Sequence, residues 1–294
     1  MSVTAQAADS ESGAAQGRRR DHSLVPRLIA AILFLPCLVV ITRRGDLPFL
    51  CLVDLIIFTG ILEFYALLRQ RGFQPSQRVG ALCALALSWY AYFRAGMYAN
   101  FLLALALLLL MTVELLRKST EQAVVHISVT MFGVLYVGWL GSHFILLREL
   151  PRLAGMDYAL GADFVLLAIL LTWSSDTGAY VIGRRWGRTP LFPRVSPKKS
   201  REGALGGVAF SLIAGVVAQR TFANYLGLPM AVGLAVLATI AGLAGDLVES
   251  LLKRGSEAKD SGDFIPGHGG SLDRFDSLLF SVPLIYYFHK FFVI

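Results

Sequence analysis

Charge is scarce in this chain. Only 16% of its 294 residues are Asp, Glu, Lys or Arg, against about 25% in ordinary soluble domains, while 55% are apolar. A water-soluble globule of this size has too little interior to hide that much apolar surface, which disfavours a soluble enzyme, a disordered chain and a disulfide scaffold together. A mean hydropathy of +0.62 agrees. Cysteine is scarce too: Cys37, Cys51 and Cys83 lie in apolar stretches with neither a CxxC nor a paired histidine, so a disulfide framework and a zinc site are both excluded. No GxxxxGK followed by Ser or Thr occurs, and no GxGxxG opens a βαβ unit, which removes the common soluble nucleotide folds at the level of motif. The first 23 residues contain one valine and no leucine, isoleucine or aromatic residue, so residues 1–23 read as a disordered tail.

What is abundant is apolar sequence. Runs recur at about residues 25–41, 48–68, 79–95, 97–116, 124–147, 163–182, 205–222, 229–252 and 275–293, each near the ~20 residues that a bilayer core demands of a helix. The fold class expected is therefore all-α, a polytopic membrane protein of about nine transmembrane helices, because open strands in lipid would leave amides unpaired. Only Arg94, Ala95 and Gly96 separate the third and fourth runs, so these form a hairpin or one broken segment. Arg18–Arg20 before the first run resemble a signal peptide, yet no small-residue cleavage site precedes Arg43, and the run reads as a span. A cytoplasmic N-terminus puts 20 of the 27 Lys and Arg on the cytoplasmic side, as the positive-inside rule expects. The net charge of +7 then reflects orientation and anionic headgroups and not nucleic acid. The organisation expected is a cytoplasmic tail (1–23), N-terminal transmembrane helices (24–160) and a C-terminal transmembrane catalytic region (161–294). The location expected is the cell inner membrane.

Polar residues inside the runs are few in the first half. Asp54, Glu63 and Glu114 read there as packing or interface residues, and His126, His143 and His289 as interfacial or hydrogen-bonded. The second half differs, and an ionisable residue at membrane depth is a functional hypothesis by default. Asp176 lies in an apolar run beside Ser174, Ser175, Thr177 and Gly178, so it needs a cation, a wet cleft or a partner such as Arg184 or Arg185. The loop that follows carries Arg188, Arg194, Lys198, Lys199 and Arg201. Further on, Asp246, Glu249, Ser250 and Lys253 are spaced i, i+3, i+4 and i+7 and share one helical face. Gly267, Gly269 and Gly270 suit a turn presenting amides to phosphate oxygens. Carboxylates at Asp246 and Asp273 suit a hard cation such as Mg²⁺ that also binds substrate phosphates, with lysines and arginines for the remaining charge. Phosphoryl or nucleotidyl transfer fits this set. A charge-compensated transport pathway also explains buried Asp and Lys, but leaves the PGHGG turn without a reason.

The stretch SLLKRGSEAKDSGDFIPGHGGSLDRFD, residues 250–276, closely resembles the signature of the phosphatidate cytidylyltransferases. The likeness is carried by Ser250, Lys253, Arg254, Lys259, Asp260, Pro266, His268, Gly269, Gly270, Asp273, Arg274 and Asp276. Upstream, Asp176 in DTGAY and Ser196, Pro197, Lys198, Lys199, Glu202 and Gly203 in SPKKSREG look like companion motifs. Ser271 departs from the pattern, standing where the family usually has an apolar residue. The specific resemblance covers residues 163–294.

The resemblance implies an integral-membrane enzyme that condenses CTP with phosphatidic acid, forming CDP-diacylglycerol and pyrophosphate with Mg²⁺. On that reading Asp246, Asp273, Lys253 and Arg274 are catalytic, with Asp246 and Asp273 on the metal. Asp176, Ser196, Lys198, Lys199, Arg254, Lys259, Asp260, His268, Gly269 and Gly270 bind substrate. The partners expected are CTP, phosphatidic acid and membrane lipids, with no nucleic acid and with a homodimer left open. The alternatives are a membrane transporter of a phosphorylated solute and a CTP-dependent enzyme acting on another lipid.

Overall fold

Backbone in hydrocarbon must satisfy its own amides, and within the described residues every apolar run of the sequence is helical. The computed structural model describes residues 24–94, 99–117, 121–255 and 270–294. The helices are α1 (Leu24–Arg44), α2 (Asp46–Gln70), α3 (Gln77–Arg94), α4 (Ala99–Leu115), α5 (Ala123–Gly133), α6 (Leu140–Leu153), α7 (Leu160–Trp186), α8 (Arg201–Thr221), α9 (Leu228–Gly255) and α10 (Leu272–Phe292). A π-helical segment, Val134–Trp139, joins α5 to α6 without a break. The tail expected to be disordered, and Ala95 and Gly96 of the expected turn, lie outside the described residues. Among the described residues, five helical stretches are long and apolar enough to cross a membrane: α2, the continuous Ala123–Leu153, α7, α8 and α9. Large apolar side chains such as Leu82, Phe101, Leu108, Leu205, Ile213 and Ile240 point outward. In lipid those positions are solvated. The chain is thus an all-α integral membrane protein, apart from a short hairpin between α7 and α8.

Residues 41–294 form one compact unit, and Met1–Val40, described only through residues 24–40 of α1, is a separate one. In the larger unit the most extensive packing is between α7 and α8, followed by α9 with α10 and α9 with α8. Glycine permits the close approaches. A Cβ on Gly206 of α8 would stand 2.5 Å from Cβ of Ile182, and one on Gly178 of α7 would stand 2.6 Å from the Gly206 carbonyl. Likewise, a Cβ on Gly245 of α9 would come within 2.5 Å of the Asp276 carbonyl of α10.

The hairpin consists of β1 (Pro190–Phe192) and β2 (Ser196–Ser200), antiparallel, with an irregular register between Pro190 and Phe192. Glu202, in the first turn of α8, accepts the backbone N–H groups of Arg188 (3.1 Å) and Thr189 (3.2 Å). Ser200 caps the same helix, its Oγ accepting the Gly203 N–H at 3.0 Å. Two side chains therefore tie the basic hairpin to the start of α8. Remote from it, Arg148 is fully buried, donating to the carbonyls of Thr42 (2.9 Å) and Tyr158 (3.0 Å) while lying 4.0 Å over the Tyr158 ring. Burial and a hydrogen bond to Glu149 push the Tyr158 hydroxyl up to about 12, so it stays a donor across the physiological range. His126, His143 and His289 all make hydrogen bonds, and the three cysteines are free.

The glycine contacts give a direct test of this packing. Gly206→Val should wedge α8 away from α7 and lower the thermal midpoint of the detergent-solubilised protein by several degrees, the effect of about 1–3 kcal/mol of overpacking. An unchanged midpoint would mean that the two helices are not held this closely.

Candidate active site

The helical face foreseen on α9 exists, and it meets the start of α10. Gly245 lets the two backbones approach, and one oxygen each from Asp246, Glu249 and Asp276 then falls within 4.8 Å of the others. Glu249 and Asp276 are buried, and Asp246 is half-buried. Lys253, one turn beyond Glu249, bridges the helices: its Nζ is 3.0 Å from Glu249 Oε1 and 2.7 Å from Asp273 Oδ1. Lys199, at the end of β2, forms an ion pair with Asp246. From α7, Asp176 reaches the same place, its Oδ1 3.5 Å from the Ser277 hydroxyl.

A cavity of about 470 Å³ opens beside this cluster, and its lining includes Asp176, Tyr180, Arg184, Ser196, Lys198, Lys199 and Asp246. Of the residues expected to bind substrate, Asp176, Ser196, Lys198 and Lys199 thus share one chamber, and Asp246 joins them to the carboxylates. Arg254 instead donates to the Val195 carbonyl in the hairpin turn, fastening the hairpin to the end of α9. Arg274 is exposed in the first turn of α10, and Gly270 is buried just before it. Lys259, Asp260, His268 and Gly269 lie outside the described residues.

Two expected contacts take a different form in the structure. Asp273 is expected beside Asp246 as the second cation ligand; among the described residues the carboxylates at ligand spacing are Asp246, Glu249 and Asp276, and Asp273 lies against Lys253 and the Glu249 carboxyl. Residues 273 and 276 are three apart and share a face of α10, so the spacing alone could not say which of them meets Asp246. Arg184, considered as a partner for Asp176, donates to the Tyr180 hydroxyl at 2.8 Å, and Arg185 lies over Trp186 at 5.3 Å. The sequence reading assigns no role to Tyr180 and reads Glu63 only as a packing or interface residue. Their signals, an aromatic two residues after DTG and a lone carboxylate in an apolar run, are common in membrane helices.

Chemically, three carboxylates held this close repel one another, and a hard divalent cation among them removes the repulsion. Among the described residues the donors are oxygens, which match Mg²⁺ or Mn²⁺ better than zinc or copper. Lys198 and Lys199 offer positive charge on the cavity side. A membrane-embedded acidic cluster facing a lysine-lined chamber suits an enzyme acting on phosphate-bearing substrates.

Comparison with known proteins narrows that class. Residues 25–292 match the cytidylyltransferase family, and the chain belongs to it. It is 33% identical over 268 residues to a phosphatidate cytidylyltransferase of Bacillus subtilis (strain 168), spanning 88% of this chain and 94% of that protein. A second phosphatidate cytidylyltransferase, from Synechocystis sp., is 33% identical over 286 residues, 89% of this chain and 95% of its own length. One from Staphylococcus epidermidis reaches 41% over 158 residues, 52% of this chain and 56% of that protein.

The cluster makes a prediction of its own. In Mn²⁺ titrations of the purified protein followed by electron paramagnetic resonance, Asp246→Asn and Asp276→Asn should each weaken binding at least tenfold, and Asp273→Asn less than threefold. Equal losses at all three positions would return Asp273 to the ligand set.

Proposed function

We propose that the chain transfers the cytidylyl group of CTP to phosphatidic acid, giving CDP-diacylglycerol and pyrophosphate for phospholipid synthesis. The observation that carries this reading is the single chamber in which Asp176 of α7, Lys198 and Lys199 of β2 and Asp246 of α9 meet, in a chain of the cytidylyltransferase family. The relatives' names support phosphatidate as the acceptor. A transporter has no need of such a family match, and an enzyme of another lipid finds no support among these relatives.

The reaction joins two anions. A phosphate monoester carries about −1.5 to −2 at pH 7, by analogy with phosphorylated side chains, and its oxygen attacks the α-phosphorus of a triphosphate. The new bond is phosphatidate oxygen to α-phosphorus, the broken bond is α-phosphorus to the bridging oxygen, and pyrophosphate leaves with that electron pair. The nucleophile is already ionised, so no general base is required. Lys198 and Lys199 hold phosphate charge and reduce the repulsion between the substrates. Lys253, oriented by Glu249 and Asp273, keeps positive charge where the acidic cluster meets α10. Mg²⁺ held by Asp246 and Asp276, with Glu249 beside them, would supply charge neutralisation at the α-phosphate and leaving pyrophosphate. Asp176 lines the chamber as a substrate or metal-water contact.

The finer assignments belong to the same proposal. Nine membrane crossings result if α1, α3, α4 and α10 span together with the five stretches that meet the length and hydropathy of a span. The basic hairpin and the Lys253–Arg274 stretch then face the cytoplasm, where CTP is found, at the inner membrane. Residues 161–294 carry the catalytic side chains. Residues 24–160 form the rest of the membrane body.

Incubation of the purified protein with phosphatidic acid and each of the four nucleoside triphosphates tests the reading. CTP with Mg²⁺ should give CDP-diacylglycerol and one pyrophosphate per lipid, with at least a hundredfold less product from ATP, GTP or UTP. Formation of no lipid-linked nucleotide from CTP would end the proposal.

A further inference from the structure

Glu63 lies on α2, far in sequence from every residue of the site, and is almost wholly buried at 5% exposure. A carboxylate in a membrane-spanning helix requires strong partners. Glu63 finds them across the fold: Oε1 accepts the Ser271 N–H and Oε2 the Leu272 N–H, each at 2.8 Å. One turn earlier on α2, Thr59 places its hydroxyl 3.0 Å from that of Ser271. The start of α10 is therefore bound to α2 at three points.

The helix needs this external hold. An α-helix begins with N–H groups that have no partner of their own, and Ser271, at the cap position, makes no capping bond with its side chain. A carboxylate accepts two of these donors at once and sets its charge against the positive end of the helix. The donors lie one and two residues before Asp273 and four and five before Asp276. Each residue of an α-helix adds about 1.5 Å of rise and about 100° of rotation, so whatever fixes the first turn also fixes where these two carboxylates point. Catalytic groups tolerate about 0.5 Å of misplacement, and about 1 Å costs on the order of a hundredfold in rate. Packing of α9 on α10 at Gly245 sets the distance between the helices. Contacts with α6 and α7, including the 2.8 Å hydrogen bond between the Thr172 and Ser281 hydroxyls, hold the body of α10, and the bonds to Glu63 fix its first turn, where Asp273 lies and which Asp276 follows.

We propose that Glu63 is a positioning residue for the active site: its bidentate hold on the start of α10 sets the axial and rotational place of Asp273 and Asp276 against Asp246, Glu249 and Lys253. The inference rests on the activity proposed above only in its kinetic readout, because its first readout is metal affinity without substrate. It gives the otherwise less specific N-terminal half a direct part in the site.

Glu63→Gln keeps shape and one acceptor oxygen but puts an amide NH₂ against a backbone N–H. Asp54→Asn serves as the control, since Asp54 is a carboxylate on the same helix that bonds to Ser88 of α3. Glu63→Gln should weaken Mn²⁺ binding, measured by electron paramagnetic resonance in the absence of nucleotide, at least fivefold. It should lower kcat at least tenfold with the KM for CTP changed less than threefold, and Glu63→Asp should recover part of both losses. Adding Glu63→Gln to Asp276→Asn should weaken Mn²⁺ binding by less than twofold further, because both changes act on one ligand. Wild-type Mn²⁺ affinity and kcat in Glu63→Gln, or a loss no different from that in Asp54→Asn, would overturn the proposal. A wild-type protein that binds Mn²⁺ but forms no CDP-diacylglycerol would overturn the activity while leaving the Mn²⁺ comparison decisive for Glu63.

Discussion

Acidic side chains do not gather at membrane depth unless the backbone brings them there and something offsets their charge. In this protein the backbone condition is met at Gly245, where α9 has no side chain to keep α10 away from it. That approach brings Asp246 and Glu249 of one helix alongside Asp276 of the other. The charge condition is met in part by Lys253, shared between Glu249 and Asp273, and by Lys199 against Asp246. Among the described residues where α9 and α10 meet, two lysines against four carboxylates leave an excess of negative charge. That excess is the physical basis for assigning a divalent cation to the site.

The same lysines connect structure with reaction. Lys199 comes from a hairpin that is otherwise an exposed basic loop, and the hairpin keeps its place through Glu202 on the amides of Arg188 and Thr189 and through Arg254 on the Val195 carbonyl. The chamber between hairpin, α7 and α9 thus has a positive side and an acidic side. A triphosphate and a phosphate monoester both need the first to enter together. On the proposed reading, a cation on the acidic side would supply charge neutralisation for the leaving pyrophosphate. A carboxylate cluster without the hairpin would bind metal and repel substrate.

Much of this was legible in the sequence. Hydropathy alone located every helical run within a few residues, because lipid leaves a backbone few choices. The spacing of Asp246, Glu249 and Lys253 located the face of α9 that carries the acidic cluster, and DTGAY and SPKK contain residues of the cavity wall. What stayed hidden depends on how two helices are rotated and shifted against each other. Asp273 and Asp276 are equivalent in a one-dimensional pattern, and only the crossing of α9 and α10 separates a lysine partner from a cluster member. Glu63 was hidden for the same reason. Its partners are backbone N–H groups more than 200 residues away, and no pattern of side chains announces a bond to backbone. The short hairpin was also missed, since SPKKS carries no apolar alternation.

The central claim, that α9 and α10 together form the cation site, is tested most directly by diffraction at the manganese absorption edge from crystals grown with Mn²⁺. The account predicts an anomalous peak within coordination distance of both Asp246 and Asp276. A peak held by Asp273 or Asp176 without those two, or no bound manganese in an active preparation, would contradict it.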